Sequence, residues 1–180
     1  CIRDSFTAEN GSITHNSVSA LTADRDGRLW VGTWGGGLNV IDRKNPLHHI
    51  ETINSTDDGH LPIGYIGALA YDSINNGIWI GSNLGLYFRD LKTGRITEPF
   101  KGAADGVPGT LGIAIDKKGH LWVGSLNGVY DIVLNERKPD GTFTYRHINH
   151  KLNDPKSKAC DKISSIYMSS DCLLYTSPSP

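Results

Sequence analysis

Nothing in this sequence has the length and apolarity of a membrane-spanning helix: no run of about 18 apolar residues occurs. Neither sign of charge is in excess. There are 18 Lys plus Arg against 19 Asp plus Glu, a formal net charge of −1. That balance argues against a basic nucleic-acid footprint or a polybasic membrane patch, so no nucleic-acid partner is expected. Cysteine is scarce. Of 3 Cys, Cys1 is terminal and Cys172 lies near the other end, which leaves Cys160 as the internal thiol. No C-x-x-C spacing exists, so neither a zinc site nor a redox pair is expected. The one Met is Met168, and the chain opens on Cys1 with no signal-peptide pattern. These features are expected of a piece of a longer gene product. A length of 180 residues predicts about one domain.

What the sequence does have is glycine: 21 residues, well above the usual level of about 7%. They are spread between short apolar runs, a pattern of many tight turns and hence of an all-β fold.

The chain also repeats itself. Residues 24–33 read DRDGRLWVGT, residues 72–82 read DSINNGIWIGS and residues 116–125 read DKKGHLWVGS. Asp24, Asp72 and Asp116 correspond, as do Gly27, Gly77 and Gly119. Trp30, Trp79 and Trp122 follow, then Gly32, Gly81 and Gly124. A further Gly stands three residues after each hydroxyl: Gly36, Gly85 and Gly128. The Trp residues are 49 and 43 positions apart. In Asp-x-x-Gly the carboxylate can bond the backbone ahead of it and Gly supplies a positive φ, so each copy reads as a turn.

Each turn separates two strands. The strands before it are Val18–Ala23, Ile66–Tyr71 and Leu111–Ile115, rich in small residues, as suits a crowded centre. The Trp strand follows. Third strands are expected at Leu38–Ile41, Leu86–Arg89 and Val129–Leu134, and fourth strands at His48–Ile53, Arg95–Phe100 and Thr142–Ile148. Four short strands per repeat of this length is the pattern of a β-propeller blade. The expected organisation is residues 1–17 as the end of a preceding blade or connection, then blades at 18–53, 66–100 and 111–148. Residues 163–171 supply the first strand of a further blade. There Ser169 and Cys172 replace the Asp and Gly, and Tyr175 falls at the Trp position. Pro178 and Pro180 are unsuited to a central strand. Residues 172–180 resemble a translated adapter tail and are expected to be non-native. Three blades and part of a fourth cannot close a ring, so the remaining blades of the same chain are expected partners.

The three repeated Trp residues are expected to pack between blades. Trp34 differs, because Asn83 and Leu126 stand at its position in the other repeats. It lies in the connection from second to third strand, which in propellers shares a rim with the fourth-to-first connections. An exposed Trp there suits the apolar face of a sugar ring. The connections at 54–65, 101–110 and 149–162 are polar and long, and such loops are often functional. Trp34, Asn83, Asp58, His60 and Tyr65 are therefore the candidate ligand-binding residues. Asp24, Asp72 and Asp116 recur and read as structural. The 7 His lack carboxylates at ligand spacing, and no phosphate-binding glycine motif or nucleophile elbow occurs, so no metal, cofactor or catalytic residue is expected.

The run from Ser12 to Leu38, with its Asp-x-x-Gly-x-Leu-Trp-Val-Gly-Thr core and Gly35-Gly36-Gly37-Leu38 end, closely resembles the two-component regulator propeller repeat. The resemblance extends across residues 12–170, with an extra residue before Gly77 in the second repeat. It implies a periplasmic sensor module of a hybrid histidine kinase, an oligosaccharide ligand, and a parent protein that can be a homodimer. It does not supply a kinase or membrane segment within these residues. The leading expectation is a non-enzymatic, ligand-sensing propeller. Two alternatives stand beside it. One is a propeller enzyme of lactonase or lyase type, whose chemistry needs carboxylate, amide or His groups converging on the axis. The other is a protein-interaction propeller.

Overall fold

The computed structural model describes residues 6–42, 49–53, 65–100, 107–149, 162–169 and 174–178. Among them there is no helix. The first blade comprises β1 (Val18–Ala23), β2 (Arg28–Thr33), β3 (Leu38–Asp42) and β4 (His49–Ile53). The second comprises β5 (Ile66–Asp72), β6 (Gly77–Ser82), β7 (Gly85–Asp90) and β8 (Ile96–Thr97). The third comprises β9 (Thr110–Ile115), β10 (His120–Ser125), β11 (Gly128–Arg137) and β12 (Phe143–Ile148). A fourth begins with β13 (Ile163–Met168) and β14 (Leu174–Pro178). Strand order in each sheet follows chain order, and neighbouring strands are antiparallel. The inner strands β1, β5, β9 and β13 pack against one another in succession. This is the arrangement of propeller blades around an axis, here an open arc.

The repeated motif earns its spacing from three contacts that recur in every complete blade. The Asp carboxylate accepts turn backbone N–H groups with one oxygen and the Trp indole N–H with the other. The indole distances are 2.9 Å for Trp30 to Asp24, 3.1 Å for Trp79 to Asp72 and 3.2 Å for Trp122 to Asp116. The hydroxyl after the Trp strand donates across the next hairpin, Thr33 to the Gly37 carbonyl, Ser82 to that of Gly85 and Ser125 to that of Gly128. Lastly, the Gly two residues after each Trp lies where the next inner strand approaches. A Cβ on Gly32 would sit 2.5 Å from Ile66, one on Gly81 2.5 Å from Thr110, and one on Gly124 2.7 Å from Ile163. Glycine is required there by the next blade, not by backbone conformation.

Two expected correspondences shift. Gly77 does not share the turn role of Gly27 and Gly119, which have φ of 82° and 84°. The extra residue of the second repeat moves that role to Asn76, at φ 50°. Asn tolerates this region through its short polar side chain. Gly77 starts β6 instead, and a Cβ there would lie 2.1 Å from the Phe88 ring. In the first blade the hairpin partner of Gly85 and Gly128 is Gly37, not Gly36. The connection after Thr33 is one residue longer, and Gly36 instead lets Thr14 and His15 approach.

Cores form between blades. Trp30, Leu38, Val40 and Ile53 of the first blade meet Ile66, Ile78, Ile80 and Tyr87 of the second. Trp79, Leu86 and Phe88 meet Leu121, Val123, Tyr130 and Phe143 of the third. Trp79 packs at 4.9 Å from Phe88 and 5.2 Å from Phe143, ring centre to ring centre. The fourth strand expected over residues 95–100 is only Ile96–Thr97, because the chain then turns Phe100 inward against Tyr145. β11 is longer than expected, running to Arg137, whose guanidinium lies over Phe88 and Phe143. Part of the segment expected to be non-native, residues 174–178, forms a strand. β14 pairs with β13, with Tyr175 opposite Tyr167 as Trp30 is opposite Thr22. Pro178 occupies the terminal rung, where a missing N–H is tolerated.

Candidate functional site

All four inner strands share one irregularity. Their register shifts between Val18 and Ala20, between Ile66 and Ala68, opposite Gly124 and Ser125 in β9, and between Ile163 and Ser165. A bulge inserts one unpaired residue and re-aims its side chain, and bulges are frequent beside functional sites. The bulged residues are Ser19, Gly67, Leu111 and Ser164. Together they line one concavity of about 540 Å³ at the axial end of the arc. That volume lies within the roughly 300–1,000 Å³ of small-molecule sites.

The wall of the concavity is built from loops. Trp34, Tyr65 and Asn83 line it with Ser17 and Val18. Trp34 comes from the β2–β3 connection of the first blade, and Tyr65 directly precedes β5 of the second. They form an isolated antiparallel bridge, and their rings stand edge-to-face, 5.2 Å apart and inclined at 63°. The Trp34 N–H donates to the Ser17 carbonyl at 3.0 Å. The Tyr65 N–H donates to Asn83 Oδ1 at 3.0 Å, and the Asn83 N–H returns a bond to the Tyr65 carbonyl at 3.1 Å. Both rings are nevertheless 56% and 53% exposed. Exposed apolar rings held by backbone bonds make this corner a candidate interaction surface.

The structure therefore brings together three of the candidate residues, Trp34, Tyr65 and Asn83. Asp58 and His60 lie outside the described residues. Asn83 spends its carbonyl oxygen on the Tyr65 backbone, so it positions the aromatic corner as well as facing the concavity. Sequence reasoning missed Ser17, Val18, Leu111 and Ser164. The small residues of the inner strands, Ser19 and Gly67 among them, were the one available signal, but a bulge is visible only once the partner register is known. The Ser19 hydroxyl contacts the carbonyl oxygens of Gly32 and Ile66, tying the first inner strand to the second.

The repeated carboxylates do not reach this concavity. At Asp24 burial favours protonation, but the Trp30 indole, the Arg28 backbone N–H and the Arg28 guanidinium outweigh it and hold the carboxyl below its usual range. Asp116 is lowered likewise: burial opposes, while the His120 backbone N–H, the Trp122 indole and the Lys118 backbone N–H prevail. Among the described residues no cluster of three or more His, Cys, Asp or Glu could hold a metal. The described residues that line the concavity include no carboxylate, imidazole or thiol.

The two component regulator propeller family matches residues 12–35, the segment from the Thr14 contact through the first Trp strand to the aromatic corner. No curated protein matches the chain. Among solved structures, the extracellular domain of a B. thetaiotaomicron protein assigned to the hybrid two component systems matches at a TM-score of 0.73 and 21% identity. The match covers 95% of this chain and 21% of that one. A second such domain from B. thetaiotaomicron matches at 0.70 and 18% identity, over 97% and 22%. Virginiamycin B lyase from Staphylococcus aureus matches at 0.58 and 18% identity, over 89% and 48%. The chain thus spans about a fifth of the length of the extracellular domains it matches. These likenesses carry the fold, not the chemistry. By fold this chain is a run of β-propeller blades, and its residues 12–35 match the two component regulator propeller family.

Proposed function

We propose that this chain is the ligand-binding part of an extracytoplasmic propeller module in a two-component sensor. It acts without catalysis and takes an oligosaccharide at the Trp34–Tyr65 corner. One observation carries the reading: two aromatic side chains from different blades are more than half exposed yet fixed edge-to-face over a concavity. Such a corner offers a stacking face to the apolar side of a pyranose. The polar atoms beside it, the Asn83 amide and the Ser17 hydroxyl, supply bonds to sugar hydroxyls. The family repeat that ends at this corner supports the sensor role and a periplasmic setting. Because the corner joins two blades, a ligand that binds both favours one relative blade position. Differential affinity of that kind is what signalling across a membrane requires.

The test is titration of the chain with an oligosaccharide panel, followed by intrinsic fluorescence and calorimetry. Trp34→Ala should weaken binding by about 10-fold or more, the size of a lost stacking platform. Trp122→Ala, on the far side of the third blade, should leave affinity unchanged. Equal loss from both variants would place binding elsewhere.

A further inference from the structure

The first blade turns an apolar packing surface away from the second. We infer that this face is an interface for a further blade, one whose Trp strand carries glycine two residues past the Trp, and that the incoming blade adds a residue to the concavity beside Ser17. The inference rests on packing and does not depend on which ligand the concavity takes.

Every seam in the arc closes by the same fit: two residues of an inner strand enclose the glycine of the Trp strand before it. A Cβ on Gly32 would lie 2.5 Å from Ile66 and 3.4 Å from Leu69. One on Gly81 would lie 2.5 Å from Thr110 and 3.2 Å from Ile113, and one on Gly124 2.7 Å from Ile163 and 3.1 Å from Ile166. In the first blade the same two positions are held by Val18 and Leu21. Val18 pairs with Thr33 as Ile66 does with Ser82 and Thr110 with Ser125. Leu21 pairs with Val31 as Leu69 does with Ile80 and Ile113 with Val123. Ile66 and Leu69 are 2% and 9% exposed, whereas Val18 and Leu21 are 44% and 58% exposed. Ile13 covers the neighbouring Val31 and Ile41 from within the same blade, so the exposed pair is what remains of the face. A repeat that ends an array carries a polar outer face. Two aliphatic side chains in register with three filled seams mark a contact surface instead. The occupant is a further blade and not a second copy of this chain. Gly32, Gly81 and Gly124 are already filled, and β14 has Ser177 at the corresponding rung, opposite Ser165. The Trp34 N–H donates to the Ser17 carbonyl as the Asn83 N–H does to that of Tyr65, so Ser17 holds the place of Tyr65 one blade earlier. Trp34 bridges Tyr65 across the first seam. The matching residue of the incoming blade therefore falls beside Ser17, which lines the concavity.

The experiment compares the 180-residue chain with the same chain lengthened by one blade, a second copy of residues 18–65 inserted ahead of Val18. The glycine of the inserted Trp strand then faces Val18 and Leu21 of the original first blade. With no substitution in either chain, hydrogen exchange across the original β1 should slow at least about tenfold in the longer one. In urea unfolding of the 180-residue chain, Leu69→Lys should lower the midpoint strongly and Leu21→Lys hardly at all, since exposed positions tolerate change. In the longer chain, Leu21→Lys in the original blade should lower the midpoint as Leu69→Lys does. Gly32→Ala confined to the inserted blade should remove most of that difference, because it fills the slot. Exchange in β1 that does not slow, or an inserted blade that unfolds apart from the rest, overturns the interface. So does a dimer of the 180-residue chain, seen by sedimentation, that Leu21→Lys dissolves, because the occupant is then a second copy.

Discussion

The three complete blades each turn the same strand face toward the next blade along the arc, and the faces are not alike. Across the Trp row, the first blade offers Thr22, Trp30, Val40 and Glu51, and the second Ala70, Trp79, Phe88 and Thr97. Both Trp residues are buried, at 1% and 0% exposure. The third offers Ala114, Trp122, Asp131 and Arg146. There Trp122 is only partly buried. It stacks on His120, and Asp131 pairs with His120 at 2.6 Å and with Arg146 at 3.1 Å. The same motif thus lies twice beside a complete blade, which encloses its Trp, and once beside the two described strands of a fourth, which do not. The Asp–Trp bond and the turn belong to the blade, whereas burial of the Trp belongs to the neighbour.

The largest break in that comparison should come from the Trp residues. Trp79→Ala removes a side chain enclosed by Phe88 and Phe143 and should cost about 3–5 kcal/mol in denaturant unfolding. Trp122→Ala should cost clearly less, because part of its surface already faces water. Equal costs would mean that the two seams are energetically alike.

A smaller effect is expected from the glycines that admit the next inner strand. Gly81→Ala forces a methyl to 2.5 Å from Thr110 and should destabilise by about 1–3 kcal/mol through overpacking. Gly27→Ala is expected to act by another route, since nothing lies within 4 Å of its Cβ position and only its positive φ is strained. Crystal structures of the two variants would separate a displaced β9 from a rearranged turn.

The smallest effect is the pH response of the turn carboxylates. Asp24 and Asp116 both have depressed values in the folded chain. A depressed carboxyl contributes stability that is present above its unfolded value of about 3.9 and lost as pH falls toward the folded value. Thermal melts between neutral pH and about pH 3 should therefore fall on acidification. Asp24→Asn should flatten part of that fall, because Asn keeps an acceptor for the Trp30 indole but cannot titrate. An unchanged pH profile in both Asp24→Asn and Asp116→Asn would show that these groups are not the source.

Much of the blade was legible in the sequence because its rules are local. Asp-x-x-Gly names a turn, alternating short apolar runs name strands, and a Trp recurring at one position names a shared packing role. The aromatic corner was partly legible for the same reason: Trp34 broke the repeat, and Tyr65 ended a long polar connection. Other features depended on partners distant in sequence. Gly77 looked like a turn glycine, but the extra residue before it passed that conformation to Asn76, and Phe88 is what keeps position 77 small. Arg95–Phe100 looked like a strand, but the ladder stops at Thr97 and Phe100 is buried against Tyr145 instead.

The sequence alone determined the number of strands per repeat, the turn chemistry and the residues that recur, since each follows from backbone preference and short-range bonding. Only the tertiary structure decided which Trp is enclosed, which Gly is crowded by a neighbouring strand, and that four bulged residues from four blades share one concavity with Trp34 and Tyr65. Those outcomes depend on how successive sheets approach across the axis, a distance that no local pattern encodes.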